Sequence, residues 1–434
     1  MWRFVYNLLL HLALPFIWLR LKIRARHEPA YADRVRERFG EVDSSTTDTG
    51  IWFHTVSAGE VIAAAPVIRR IATAFPNEKI LVSTMTVTGY AQVQRLFGDQ
   101  VKHVYAPYDF PWAISRFLRL VNPRVLVLME TELWPNLIRQ LGDRGRAMLL
   151  INARLSERSF KGYKRVGGLS RPMFASLTWT GCQYPAHASR FEALGVKNPE
   201  ITGSVKFDVE IPDDLDREHD QLVSNWKLGG RKIWIAASTH ASEEKLILDA
   251  HKALVKKFPG LLLLLVPRHP ERFSVVIDAA RQYGFMTGQL SGSSSRMDGM
   301  QVLIGDEMGR LMYLYAIADV VFMGGTMSGT GGHNIIEPAS LAKAVIAGPS
   351  RFNFVEIFSL FESAQAIIGI TSLKGLISEV TGLIESDVKR AEMGNRARQL
   401  VQENAGATDK VLEKVLPLIE KALNRHNDRT GSNR

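Results

Sequence analysis

Three ionisable residues in the first half of the chain stand where a proton could be moved and a charge held. Glu60 lies in HTVSAGE (54–60), after an apolar run and at the start of a stretch with helical period. A carboxylate there could serve in catalysis. Ser57 and Glu60 also have the S-x-x-E spacing of a capping box, which accounts for both letters without any chemistry. Glu130 directly follows the apolar run VLVLM (125–129), so it sits at the carboxyl end of a buried strand, where open α/β sheets bind ligands. Lys206, in GSVKFD (203–208), supplies a cation near the end of the same half.

The second half carries groups suited to a nucleotide. GGTMSGTGGHNIIEP (324–338) follows the run DVVFM and holds five glycines between 324 and 332. Such a loop lets backbone approach a ligand, and a helix starting near Asn334 would offer free N–H groups to a phosphate. It is not a P-loop, since GxxxxGK[ST] is missing. The next run, AVIAG, lacks the terminal acid of a dinucleotide fold. Glu337 can reach a ribose from the first helical turn, or is simply favoured there by the helix dipole. In DEMGRL (306–311), Asp306 reads as an N-cap, with Met308, Gly309, Arg310 and Leu311 in the first turn. Amides there could read a base edge, although capping explains the same letters. PRHPER (267–272) ends the run LLLLLV and places Arg268 for a phosphate, with His269 beside it. Arg158, Lys161 and Arg165, with Arg154 before them, share a helical face that fits either acceptor phosphates or plain solvation.

These residues need a scaffold, and the apolar runs describe one. IWFHTV (51–56), ILVSTM (80–85), HVYA (103–106), VLVLM and AMLLI (147–151) alternate with helical stretches. After the acidic connector IPDDLDREHD (211–220) the pattern returns with KIWIAAS (232–238), LLLLLV (261–266), QVLIG (301–305), DVVFMG (319–324) and AVIAG (344–348). Continuous apolar strands between helices predict an α/β chain of two doubly wound Rossmann-like domains. The expected boundaries are 41–210 and 211–424, with a polar linker at 43–50, a Gly/Ser-rich surface loop at 288–299 and a frayed polar tail over 425–434.

At 434 residues, 46% apolar, the chain can bury full-sized cores; the lone Cys182 excludes a disulfide framework and a multi-cysteine zinc site. The net charge of +10 is unevenly spread: residues 1–40 hold eight basic side chains against three acids, half of the excess. Before most of them runs FVYNLLLHLALPFIWL (4–19), about 24 Å long as a helix, against a hydrocarbon core of roughly 30 Å. No small-residue cleavage site follows, only LRLKIRAR. An uncleaved anchor with a basic collar is expected over 1–40, spanning marginally or lying in the interface and keeping the body cytoplasmic. The alternative is an ordinary N-terminal helix packed on the protein body.

Taken in order, HTVSAGE, METELWPN, INARLSERS, TGSVKFD, STHASEE, VPRHPERF and GGHNIIEP resemble the 3-deoxy-D-manno-octulosonic acid (Kdo) transferases of lipopolysaccharide synthesis, over nearly the whole chain. The resemblance implies a GT-B glycosyltransferase whose N-terminal domain binds acceptor and whose C-terminal domain binds nucleotide sugar. It implies inverting, metal-independent transfer of Kdo from CMP-Kdo to a lipid A precursor, lipid IVA, with no cofactor, at the cytoplasmic face of the inner membrane. By the same resemblance Glu60 is the general base, and Glu130 and Lys206 support the transition state. Arg268, His269, Gly309, Arg310, Leu311, Asn334, Ile335, Ile336 and Glu337 match the CMP-binding segments. The implied partners are CMP-Kdo, the lipid precursor and an anionic lipid surface. Nucleic acid is not among them, since no helix-turn-helix, RNP or zinc-finger motif is present. A UDP-sugar transferase of the same architecture acting on a lipid acceptor is the alternative.

Overall fold

The apolar runs become strands because each is covered on both faces. In the computed structural model, which describes residues 2–292 and 299–431, β1 Ile51–His54, β2 Ile80–Thr84, β3 Lys102–Tyr105, β4 Val125–Met129, β5 Ala147–Ala153, β6 Trp179–Cys182 and β7 Glu200–Ile201 form one parallel sheet. Its order is β3-β2-β1-β4-β5-β6-β7. Successive side chains point to opposite faces. Ile51, Phe53, Val125 and Val127 therefore pack with Val61, Ala64 and Ile68 of the helix Ala58–Ala74, while Trp52, Leu126 and Leu128 pack with Phe117 and Leu137 on the other side.

A second parallel sheet contains β8 Ile233–Thr239, β9 Leu262–Pro267, β10 Thr287–Gln289, β11 Val302–Ile304, β12 Val320–Met323, β13 Ala344–Ala347 and β14 Ile367–Gly369, in the order β10-β11-β9-β8-β12-β13-β14. In each sheet the chain starts centrally, builds to one side and then returns to the other flank of its first strand. That reversal falls between β1 and β4 in the first sheet and between β8 and β12 in the second.

The chain divides into two units, Met1–Asp208 with Ala405–Arg434, and Val209–Asn404. The expected second domain, 211–424, therefore runs too far. The last helix, Ala407–Gly431, places Val411, Leu412, Val415, Ile419 and Leu423 in the core of the first unit. Its start is fixed by Asp208, whose carboxylate accepts the N–H groups of Gly406 (2.6 Å) and Thr408 (2.5 Å). The tail expected to fray stays helical to Gly431, and 432–434 lie outside the described residues. The expected surface loop at 288–299 begins inside β10, and its centre, 293–298, also lies outside them.

The apolar N-terminal segment is a helix, Trp2–His27. One face lies along the first unit. Leu10, Leu14 and Ile17 pack on Phe39, Phe110 and Ala113, the Tyr6 hydroxyl donates to Asp109 (2.9 Å), and the Asn136 amide donates to Asn7 (2.8 Å). Trp18 stacks on Phe39 at 5.1 Å. The opposite face leaves Phe4, Leu9, Leu12, Phe16 and Leu19 exposed. The helix is thus neither free of the body nor buried in it.

Replacing Leu412 with Ala should cost the first unit about 2–5 kcal/mol and lower its midpoint of denaturation. Asp208→Ala should cost about 1–2 kcal/mol through the lost helix start. Unchanged denaturation curves for both would show that the last helix does not complete this core.

Candidate active site

In the first unit, Ser57 caps the helix Ala58–Ala74. Its hydroxyl accepts from the Glu60 N–H (3.4 Å) and donates to Glu60 Oε1 (3.0 Å), while Glu60 Oε2 accepts the Val56 N–H (3.0 Å). The capping arrangement therefore exists, with the amide of Val56 in place of that of Ser57. It does not exhaust what Glu60 offers. The side chain is only 8% exposed, and burial, with the nearby charges of Glu132 and Glu130, raises its pKa to about 8 against the two hydrogen bonds. A carboxyl so placed exchanges its proton near neutral pH, and as a carboxylate it is a stronger base than an ordinary glutamate.

Glu130 leaves β4 in the left-handed region, φ +53°, a conformation unfavourable for a residue with a Cβ. Its Oε1 accepts from Lys206 Nζ at 2.8 Å, and Arg154 Nε stands 3.8 Å from Oε2. Lys206 is delivered by the short turn Val205–Phe207, whose first N–H is held by Asn152 Oδ1 (3.3 Å) near the end of β5. The structure thus unites Glu130, Lys206 and Arg154. Of the basic stripe, Arg154 turns to Glu130 and Lys161 pairs with Glu157 at 3.6 Å. One acid was missed: Glu132, whose pKa is raised by burial and which accepts from Trp134 Nε1 (3.3 Å). Its signal was its place two residues beyond Glu130 in METELWPN.

In the second unit, the loop after β12 has positive φ at Gly325, Gly329, Gly331 and Gly332. Gly324 is required by space, since a Cβ there would meet the Ser238 carbonyl oxygen at 2.4 Å. Next to the loop, His240 and His333 bring their Nε2 atoms to 3.0 Å, with rings within 5° of parallel and centroids 5.2 Å apart. Nitrogens so close between rings so far apart mean that the rings lie end to end and share one N–H···N bond. Burial, followed by Arg268, His240 and His269, pushes His333 down to about 3, and burial also lowers His240. The pair is neutral. His269 lies edge-on to His240 at 5.4 Å. Arg268, half-buried just beyond β9, makes no side-chain hydrogen bond or ion pair among the described residues, which leaves its guanidinium open to an anion.

The remaining expectations are partly corrected. The helix expected from Asn334 is the five-residue Ile336–Ser340; Asn334 Oδ1 accepts the Ile336 N–H (3.1 Å), and the Asn334 amide donates to Glu337 (3.3 Å). Ile335 and Ile336 are fully buried, so their side chains serve the core. Asp306 caps no helix. It accepts from the Ser291 N–H (2.9 Å) and Gln289 Nε2 (3.1 Å), and the helix Leu311–Ile317 starts only after Arg310. Gly309, at φ +87°, makes a turn, and Arg310 pairs with Glu218 (2.8 Å) and lies over Tyr313.

Two doubly wound units, each with its polar cluster at the strand reversal, define a GT-B glycosyltransferase fold. A family profile described as 3-deoxy-D-manno-octulosonic-acid transferase (kdotransferase) matches residues 33–209. The chain is 39% identical over 426 residues to the 3-deoxy-D-manno-octulosonic acid transferase of Haemophilus influenzae, covering 97% of this chain and all of the other. It is 32% identical over 428 residues to that of Bordetella pertussis, covering 95% and 98%. Among solved structures, UDP-GlcNAc 2-epimerase from Neisseria meningitidis superposes with a TM-score of 0.55 at 15% identity, over 85% of this chain and 100% of that one. The C-terminal CMP-Kdo binding domain of WaaA from Acinetobacter baumannii aligns at 31% identity and a TM-score of 0.42, over 43% of this chain and 98% of that one. The chain belongs to the 3-deoxy-D-manno-octulosonic acid transferase family and is a glycosyltransferase.

If Glu60 must lose its proton to act, kcat/KM should rise with pH through about 8, the pKa in the free protein. Glu132→Gln removes a like charge and should move that limb to lower pH. A profile flat through this range, or a limb unmoved in the variant, would separate Glu60 from the proton transfer.

Proposed function

We propose that the chain transfers Kdo from CMP-Kdo to a lipid A precursor, lipid IVA, in lipopolysaccharide synthesis, by inverting, metal-independent displacement. The observation that carries this reading is the buried Glu60 with its raised pKa, in a chain of this family. The Glu60 carboxylate takes the proton of the acceptor hydroxyl as that oxygen bonds to the anomeric carbon of Kdo. The bond from that carbon to the CMP phosphate oxygen breaks, and CMP leaves with the electron pair. Attack opposite the leaving group inverts the centre. Glu130, held by Lys206, supports the reacting charges in the first, acceptor-binding unit.

In the second, donor-binding unit, Arg268 meets the CMP phosphate with its unpaired guanidinium, assisted by His269. Gly309, Arg310 and Leu311 serve the base, and Asn334, Ile335, Ile336 and Glu337 the ribose, the two isoleucines through their backbone. The helix Trp2–His27 rests on the cytoplasmic face of the inner membrane and lies in the interface. Its exposed Phe4, Leu9, Leu12 and Phe16 suit acyl chains, and the basic residues near its end suit anionic head groups. A spanning orientation would strip Tyr6 and Asn7 of Asp109 and Asn136, which favours the in-plane placement.

Incubation with CMP-Kdo and lipid IVA should give a product heavier by whole Kdo units in mass spectrometry, inhibited by CMP and not by UDP. Transfer from a UDP-sugar with inhibition by UDP would overturn the donor assignment. Glu60→Gln should bind CMP as the parent does and lose transfer by at least about 100-fold. Leu12→Glu with Phe16→Glu should abolish co-sedimentation with anionic phospholipid vesicles while leaving the circular dichroism unchanged. Undiminished sedimentation would remove this face from the membrane.

A further inference from the structure

The glycine loop after β12 is held by an acid that none of the roles above uses. Glu243 is fully buried in the first turn of the helix Ala241–Lys257, which follows β8. Its Oε2 accepts the N–H groups of His240 (3.1 Å) and Gly325 (2.8 Å), and its Oε1 accepts that of Met327 (2.7 Å). It forms no ion pair among the described residues. A buried carboxylate satisfied by three backbone donors from two chain segments fixes those segments to each other. Here they are the segments on either side of the strand reversal.

The same helix start ties the far end of the loop, because His240 holds His333 through their shared N–H···N bond. Thr326 is pinned between these ties, its hydroxyl donating to the Met323 carbonyl (2.5 Å) and accepting from the Gly348 N–H (2.7 Å). The amides of Gly331 and Gly332 are taken by Ser350 (3.0 Å) and the Gly325 carbonyl (2.9 Å). Among the described residues the Ser328 and Gly329 amides make no hydrogen bond.

We infer that Glu243 is a positioning residue for the donor: by engaging the Gly325 and Met327 amides it sets the loop so that the Ser328 and Gly329 amides remain for the phosphate of the nucleotide sugar. This rests on the donor reading above. Glutamine cannot replace Glu243, because it keeps one acceptor oxygen and turns an NH2 group toward an N–H.

The first test uses the unaltered protein and residue-resolved amide hydrogen exchange. Without ligand, Gly325 and Met327 should be protected at least 100-fold and Ser328 and Gly329 should exchange freely; saturating CMP should slow the latter pair at least tenfold. Free exchange at 325 and 327 overturns the clamp, and unchanged exchange at 328 and 329 with CMP bound overturns their role. In Glu243→Gln, the CMP Kd and the donor KM should rise at least tenfold with the acceptor KM unchanged. A folded variant within twofold of the parent in loop exchange and CMP Kd overturns the inference. A parent that binds no CMP would instead overturn the donor reading, and exchange at 325 and 327 would still judge the clamp.

Discussion

A parallel sheet built outward from its first strand has one place where the loops leaving two adjacent strands turn to opposite faces, and there the carboxyl ends of the strands are left uncovered. The backbone and side chains at that opening must find partners other than a covering helix. Both sheets of this protein are constrained in this way, at β1/β4 and at β8/β12, and several of the candidate site residues follow these four strands. Glu60 follows β1 and Glu130 follows β4. His240 and Glu243 follow β8, and the glycine loop follows β12.

The two openings are solved with opposite electrostatics. In the first, three carboxyl groups crowd together. Lys206 and Arg154 compensate Glu130, and the burial and repulsion that remain keep Glu60 hesitant to ionise. In the second, two imidazoles that could have carried charge are held neutral beside Arg268, so the local positive charge is concentrated on one guanidinium. A neutral pair can share a proton where a charged pair would repel, which lets the histidines act as a rigid strut next to a cation. Acid-rich and base-rich surroundings thus arise from the same topological position, with different residues following the strands.

Much of this was legible in the sequence where a signal is local. VLVLM and LLLLLV read as buried strands because both faces of each are covered, and Glu130 and Arg268 could be placed at strand ends from their neighbours alone. The short strands β7, β10 and β14, of two or three residues at sheet edges, leave no run to detect. Interactions between distant positions left no local trace. Lys206 is 76 residues from Glu130, and Glu243 is 82 and 84 from the two loop amides that it accepts. Within STHASEE, Glu243 looks like any acid favoured at a helix start. Asp306 misled for the converse reason: it has the composition of a cap, and its hydrogen bonds go to Ser291 and Gln289.

The return of the last helix to the first unit bears on the order in which the molecule can assemble. Residues 411–423 complete the core that the helix Ala58–Ala74 forms on one face of the first sheet, and they leave the ribosome after the whole of the second unit has been made. The second unit is contiguous and has everything it needs once residue 404 has emerged. The first unit is begun earliest and completed last, holding one apolar core only partly covered throughout synthesis of the second. Its N-terminal helix, with one apolar face outward, emerges before either. That helix packs on Phe39, Phe110 and Ala113, all made early, so its seat can form while the core on the other face of the sheet still waits for residues 411–423.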